Sequence, residues 1–176
     1  MNKQSPARLI LVPASPKYAE LFQRWRSQVS FVEHNPLKRL SMEECRKRLL
    51  AEGHSLKAGG NHESFRWFAK LEKKIIGSVS LNGINEMMKV AEVSYGVDED
   101  FQGRGLGTII VSMLVKKAFA ETDLRKLIAY VHDKNIPSCR LLERIGFKKE
   151  GFLREHYLIN GKPANEVVYG LLRAEA

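Results

Sequence analysis

Between Val93 and Thr108 the chain reads VSYGVDEDFQGRGLGT, a strand-like run that passes through an acidic turn into three glycines and then straight into a helical pattern. Glycines at 103, 105 and 107 let a ligand come close to the main chain, and a helix starting there offers unpaired N–H groups and the positive end of its dipole. A diphosphate suits such a turn. Arg104 offers a cationic contact, but amides held by the fold would set the geometry. The same pattern also describes a tight strand-to-helix turn that binds nothing. Two other phosphate loops are absent: there is no G-x-x-x-x-G-K-[ST], and the glycines read G-R-G-L-G instead of G-x-G-x-x-G. Nucleoside triphosphates and dinucleotides are therefore not supported.

The elements around this turn follow from periodicity. In 176 residues there is room for one core of ordinary size, so one domain spanning 1–176 is expected. Hydrophobic residues make up 44% and charged residues 28%, which excludes disordered and collagen-like classes. The 29 Lys and Arg against 20 Asp and Glu leave +9, favouring an anionic ligand or partner. Cys45 and Cys139 form no C-x-x-C pattern, and His34, His54, His62 and His156 lack metal-ligand spacing, so neither a disulfide scaffold nor a metal site is expected. The apolar run Leu9–Val12 stops at Pro13, too short for a signal-peptide core or a membrane span. A soluble cytoplasmic protein with no membrane partner is the expectation.

Arg8–Val12 reads as a strand. A helix follows from Ser15 and Pro16, with Tyr18, Leu21, Phe22 and Trp25 at helical spacing, and a second, basic helix opens on the Ser41/Glu44 capping box. Residues 65–71, 74–81 and 89–97 read as three strands in an antiparallel meander, and Ala58–Ser64 reads as a loop. Then come a helix over 105–120, a strand over 126–131, a helix over 136–145 closed by Gly146, and a strand from Phe147. Such alternation implies parallel pairing of the 89–97 and 126–131 strands through a crossover helix. Asn160-Gly161 predicts a hairpin turn.

With these elements in place the segment Gln102-Gly103-Arg104-Gly105-Leu106-Gly107 resembles the Q/R-x-x-G-x-G/A loop of the GNAT superfamily of acetyl-CoA-dependent N-acetyltransferases. A second motif supports it: Asn135-Ile136-Pro137-Ser138, followed by Leu141-Leu142 and Ile145-Gly146-Phe147, is similar to the superfamily's later N-x-x-[AS]…G-F helix. Residues 149–154 and 167–172 resemble the branch containing the ribosomal-protein N-terminal acetyltransferases. The resemblance spans roughly 74–173 and implies an α/β fold: a mixed, mostly antiparallel central sheet flanked by helices, with a splayed parallel strand pair.

The resemblance implies acetyl-CoA as cosubstrate and no metal. Main-chain amides of Gln102, Gly103, Arg104, Gly105, Leu106, Gly107 and Thr108 would hold the CoA diphosphate. Backbone at Tyr95 and Val97 would pair with the pantetheine arm, which Asn135 would also hydrogen-bond. Asn135 equally reads as the cap of the following helix, and both can hold because the amide has a donor and an acceptor. For the acceptor, neutralising an α-amine of pKa about 8 at pH 7 costs about 1.4 kcal/mol, against about 4.6 for a lysine amine near 10.4. A protein N-terminal α-amine thus asks least of the enzyme, attacking directly in a ternary complex.

Glu92 resembles the general-base glutamate of several relatives, although its strand position lets it face either solvent or cleft. Many relatives carry a tyrosine acid at the position of Leu142; its absence here leaves Ser138 as the group that would hydrogen-bond the departing sulfur, or else a residue that only satisfies the first helical turn. His132 and Asp133 border the cleft, and Cys139 reads as a core residue. A small amine such as a polyamine or aminoglycoside is an alternative acceptor, with +9 mildly against polycations. A non-catalytic acyl-CoA-binding or RNA-associated module is another alternative. Nucleic acid is otherwise expected only indirectly, through a ribosome, and the oligomeric state stays open.

Overall fold

Strands that bury apolar residues on one or both faces build a seven-stranded sheet among the described residues. The structure is a computed structural model and describes residues 8–53, 55–56 and 64–176; His54, His62 and all of the expected 58–64 loop except Ser64 lie outside the described residues. The strands are β1 (Leu9–Pro13), β2 (Ser64–Leu71), β3 (Lys74–Asn85), β4 (Val90–Val97), β5 (Lys126–His132), β6 (Lys148–Ile159) and β7 (Lys162–Leu172), in the order β1-β2-β3-β4-β5-β7-β6. All neighbours are antiparallel except β4 and β5, whose crossover helix makes them parallel. The β6–β7 hairpin turns through Asn160 and Gly161, with φ of 50° and 77° as a type I′ turn requires.

Among the described residues five α-helices cover the two faces: α1 (Ala19–Trp25), α2 (Val29–Val32), α3 (Met42–Ala51), α4 (Leu106–Glu121) and α5 (Ile136–Ile145). Alternate residues of β2 sort the layers. Trp67 and Ala69 join Leu81, Val93, Ile110 and Leu114 in the core under α4, whereas Phe68 packs with Phe22, Trp25, Cys45 and Leu49 under α1 and α3. Ser41 closes its capping box on α3, accepting from the Glu44 amide at 3.2 Å while Glu44 Oε2 accepts from the Ser41 amide at 2.7 Å. Two elements depart from expectation. Ser15 makes no side-chain cap, and a single 3-10 turn over Pro16–Tyr18 precedes α1. The short α2, with no periodic signal of its own, is held by bonds to the β4–α4 turn.

One feature of the sheet governs the rest. β4 pairs with β5 only over Val90–Glu92 against Lys126–Ile128, although both strands continue beyond. From Val93 onward they diverge, and α5 begins beside the opening.

Candidate active site

Asp98, at the end of β4, fixes the turn that follows. It is fully buried and accepts from Trp25 Nε1 at 2.8 Å, Gln28 Nε2 at 2.9 Å, the Asp100 amide at 3.3 Å and Arg24. Burial alone would raise its pKa, but these hydrogen bonds together hold the carboxyl below its ordinary value. The turn then passes through Gly103 and Gly105 at φ of 73° and 72°, the left-handed region that a β-carbon disfavours.

The Gln102 amide is satisfied internally, donating to the Glu99 carbonyl at 3.2 Å, and its side chain donates to the Val97 carbonyl at 2.8 Å. The first bond of α4 runs from the Ile109 amide to the Gly105 carbonyl, at 3.4 Å. Between these two, the amides of residues 103–108 have no acceptor among the described residues. Six consecutive unpaired N–H groups at the start of a 16-residue helix form an anion cradle. A side chain at Gly107 would meet Leu141 Cδ1 at 2.9 Å, so this glycine lets α4 close onto α5.

The loop borders a cavity of about 600 Å³ that runs into the β4–β5 splay. Gln102, Gly103, Gly105, Leu106, Gly107 and Thr108 form one wall; Tyr95, Val97, Asn135 and Ser138 lie along the others. Arg104 does not line it. Its guanidinium donates to the Asp100 carbonyl at 2.9 Å and lies over Phe101, leaving only its main-chain amide for the cradle. The cations in this cavity are instead Arg140 and Arg144, one turn apart on α5. Their i, i+4 spacing on a helix opening at Asn135 is the signal that would have found them.

At the splay, the Tyr95 hydroxyl lies 2.5 Å from Ser138 Oγ. Burial raises the Tyr95 pKa well above the ordinary phenol value, partly offset by the bond to Ser138, so the phenol keeps its proton. The Asn135 side chain accepts from the Ser138 amide at 3.2 Å, which is a cap, and the residue also lines the cavity. Leu142 is fully buried in the core.

Glu92 points to the opposite face of the sheet from Tyr95, as strand alternation requires. It accepts from Ser94 Oγ at 3.1 Å, which in turn accepts from Asn82 Nδ2 at 2.9 Å. There it lines a second cavity, of about 940 Å³, under α1 and α3. The two cavities share Phe31, Asn35, Tyr95 and Gly96. Phe31, from α2, lies on Gly96 so closely that a β-carbon there would fall 2.3 Å from the ring. His132 packs against His34 with ring centroids 5.2 Å apart, at the far end of β5. Burial lowers the His132 pKa, with Asp133 opposing. Among the described residues no cluster of His, Cys, Asp and Glu could hold a metal, and no helix is long and apolar enough to cross a membrane.

A family model described as "Acetyltransferase (GNAT) domain" matches residues 8–148. The chain belongs to this acetyltransferase family. It is 32% identical over 136 residues to the Bacillus subtilis (strain 168) protein named "Probable N-acetyltransferase YjcK", covering 77% of this chain and 75% of that one. Among solved structures it is similar to RimL, described as a ribosomal L7/L12 alpha-N-protein acetyltransferase in complex with coenzyme A, with a TM-score of 0.83 at 20% identity over 96% of this chain and 95% of that one. It is likewise similar to spermidine N-acetyltransferase from Vibrio cholerae in complex with CoA and spermine, with a TM-score of 0.81 at 22% identity over 95% and 96% of the two chains. The GNAT chain is thus an acetyl-CoA-dependent N-acyltransferase. Its unpaired amide cradle and splayed strands fit that cosubstrate. The mixed sheet with one parallel pair is the fold expected from the sequence.

Proposed function

We propose that this protein transfers an acetyl group to a protein N-terminal α-amine, by direct attack in a ternary complex. The observation that carries the reading is the meeting of two cavities at Tyr95 and Gly96, one holding the anion cradle and Ser138, the other holding Glu92. An amine entering from one side and a thioester from the other can meet only at this junction.

Bound acetyl-CoA supplies an acetyl thioester. The amides of residues 103–108 grip its diphosphate, with Arg140 and Arg144 adding positive charge, and the unpaired edge of β4 beyond Glu92 receives the pantetheine arm. Glu92, held by Ser94, takes the proton from the acceptor ammonium so that the nitrogen lone pair is free. As the C–N bond forms and the C–S bond breaks, one hydroxyl of the Ser138–Tyr95 pair, supported by the other, donates toward the sulfur, where negative charge develops, and the second proton of the attacking nitrogen passes to the departing thiolate, giving the neutral amide and CoA thiol.

Relatives described as ribosomal-protein and as spermidine acetyltransferases share the fold, so fold does not choose the acceptor. Two considerations favour the α-amine: it costs less to neutralise, and the acceptor cavity carries three arginines, which repel a polyamine. The test is release of CoA thiol with N-terminal peptides, spermidine and aminoglycosides in parallel. Acetylation of peptide α-amines at kcat/KM at least tenfold above the polyamine supports the reading; the reverse order overturns it.

A further inference from the structure

The acceptor cavity is asymmetric in charge. Arg26, Arg48 and Arg66 line the part of it under α1 and α3, and Glu92 lies on the β4 wall. Phe22 sits among the cations, its ring centroid 5.3 Å from the Arg66 guanidinium and 5.8 Å from that of Arg26. Glu52 is a buried counterion for two of them, with Oε2 2.6 Å from Arg66 Nε and Oε1 3.4 Å from Arg48 Nε. Arg26 has no such partner among the described residues. One of its terminal nitrogens donates to the Lys38 carbonyl at 2.8 Å, while its Nε is buried without an acceptor.

A guanidinium with a buried N–H left unmade, beside two like charges, is costly in a folded protein. Burial, followed by the charges of Arg48 and Arg66, depresses the Arg26 pKa. An anion in the cavity relieves the second penalty by supplying a counter-charge to the three guanidinium groups that line it. Glu92 at the other side of the same cavity would keep the ammonium end of the acceptor near the junction. The cavity thus offers guanidinium groups on one side and a carboxylate on another.

We propose that the acceptor carries an anionic group beside its amine, and that Arg26, Arg48 and Arg66 receive that group. Resting on the N-terminal reading above, this makes the acceptor a peptide with an acidic side chain directly after its first residue. Carboxylate and phosphate share the recognition chemistry, with bidentate guanidinium contacts available to both.

The experiment compares kcat/KM by thiol release for peptides beginning Ser-Asp-Glu, Ser-Ala-Ala and Ser-Lys-Lys, with phosphoethanolamine and ethanolamine as small amines with and without an anion. Arg48→Gln, on an exposed helix face, and Arg26→Gln are measured beside the unaltered protein, with CoA affinity as an independent readout. The expected result is a preference of at least tenfold for the acidic over the neutral peptide, shrinking with added salt. In both variants that ratio should fall severalfold at constant CoA affinity. If phosphoethanolamine alone is acetylated, in an Arg48-dependent manner, the anion preference stands and the protein N-terminus reading fails. Equal rates for the three peptides, faster acetylation of Ser-Lys-Lys, or an acidic preference untouched in both arginine variants overturns the proposal.

Discussion

The Tyr95 hydroxyl and Ser138 Oγ, brought together from β4 and α5, are 2.5 Å apart at the mouth of the strand splay. The position where many relatives carry an acidic tyrosine is here Leu142, buried in the core. A phenol nevertheless stands at the junction, from a different element, with burial keeping it protonated across the working range of pH. The pair can relay a proton in either direction, since each oxygen both donates and accepts.

Removing either hydroxyl should therefore slow turnover while sparing cosubstrate binding. Ser138→Ala and Tyr95→Phe are each expected to lower kcat by about 10–100-fold, with CoA affinity within about twofold, because one donor to developing charge is lost. The double variant should be no slower than the worse single one if the two act as a unit. Full activity in Ser138→Ala would return that residue to closing the first turn of α5.

Glu92→Gln should cost about 10²–10³-fold in kcat, again with unaltered CoA affinity. Glu166 supplies the discriminating control. Burial raises its pKa, the charge of Glu92 adds to the rise, and His156 opposes it, so it is a second carboxylate close to the same face. Glu166→Gln should lose less than about tenfold. A larger loss there than in Glu92→Gln would make Glu166 the base.

Asp98→Asn tests the scaffold beneath the loop. Replacing a buried carboxylate that accepts from Trp25, Gln28, Arg24 and the Asp100 amide should cost about 3 kcal/mol of stability. For a chain of this size that is a fall of about 6–12 °C in Tm. The folded carboxyl titrates below its unfolded value of about 3.9. Its contribution is thus present above that pH and lost as pH falls through the folded value. The gap between the two proteins, measured by urea unfolding, should narrow below about pH 4. A gap independent of pH would mean that the charge of Asp98 contributes nothing.

Most of the architecture could be read from the chain because the local signals agreed with one another: the capping box at Ser41, Gly146 ending α5, Asn160-Gly161 turning the hairpin, and the period-two alternation along β4. The glycine loop was legible for the same reason, since its left-handed positions demand glycine wherever the fold places it. Three things were not. The insertion of β7 between β5 and β6 is a long-range pairing with no local mark. The α2 segment has only four residues and is held by Glu99 and Gln102 from a distant turn, yet it delivers Phe31 to Gly96. The arginines of the acceptor cavity come from the end of α1, from α3 and from β2, and only packing of those elements reveals that they share a wall. Arg104 shows the converse: adjacency in sequence suggested a ligand contact, and a nearby carbonyl took the side chain.

The most direct test of the central claim is calorimetric titration of CoA into the unaltered protein and into Gly105→Val, with pantetheine, which lacks the diphosphate, as the second ligand. A valine forced to φ near 72° costs about 1–2 kcal/mol and reshapes the cradle. The expected result is CoA affinity about tenfold weaker or more in the variant, with pantetheine affinity unchanged and the fold retained by circular dichroism. Equal CoA affinity in the two proteins would contradict the assignment of the 103–108 amides to the diphosphate.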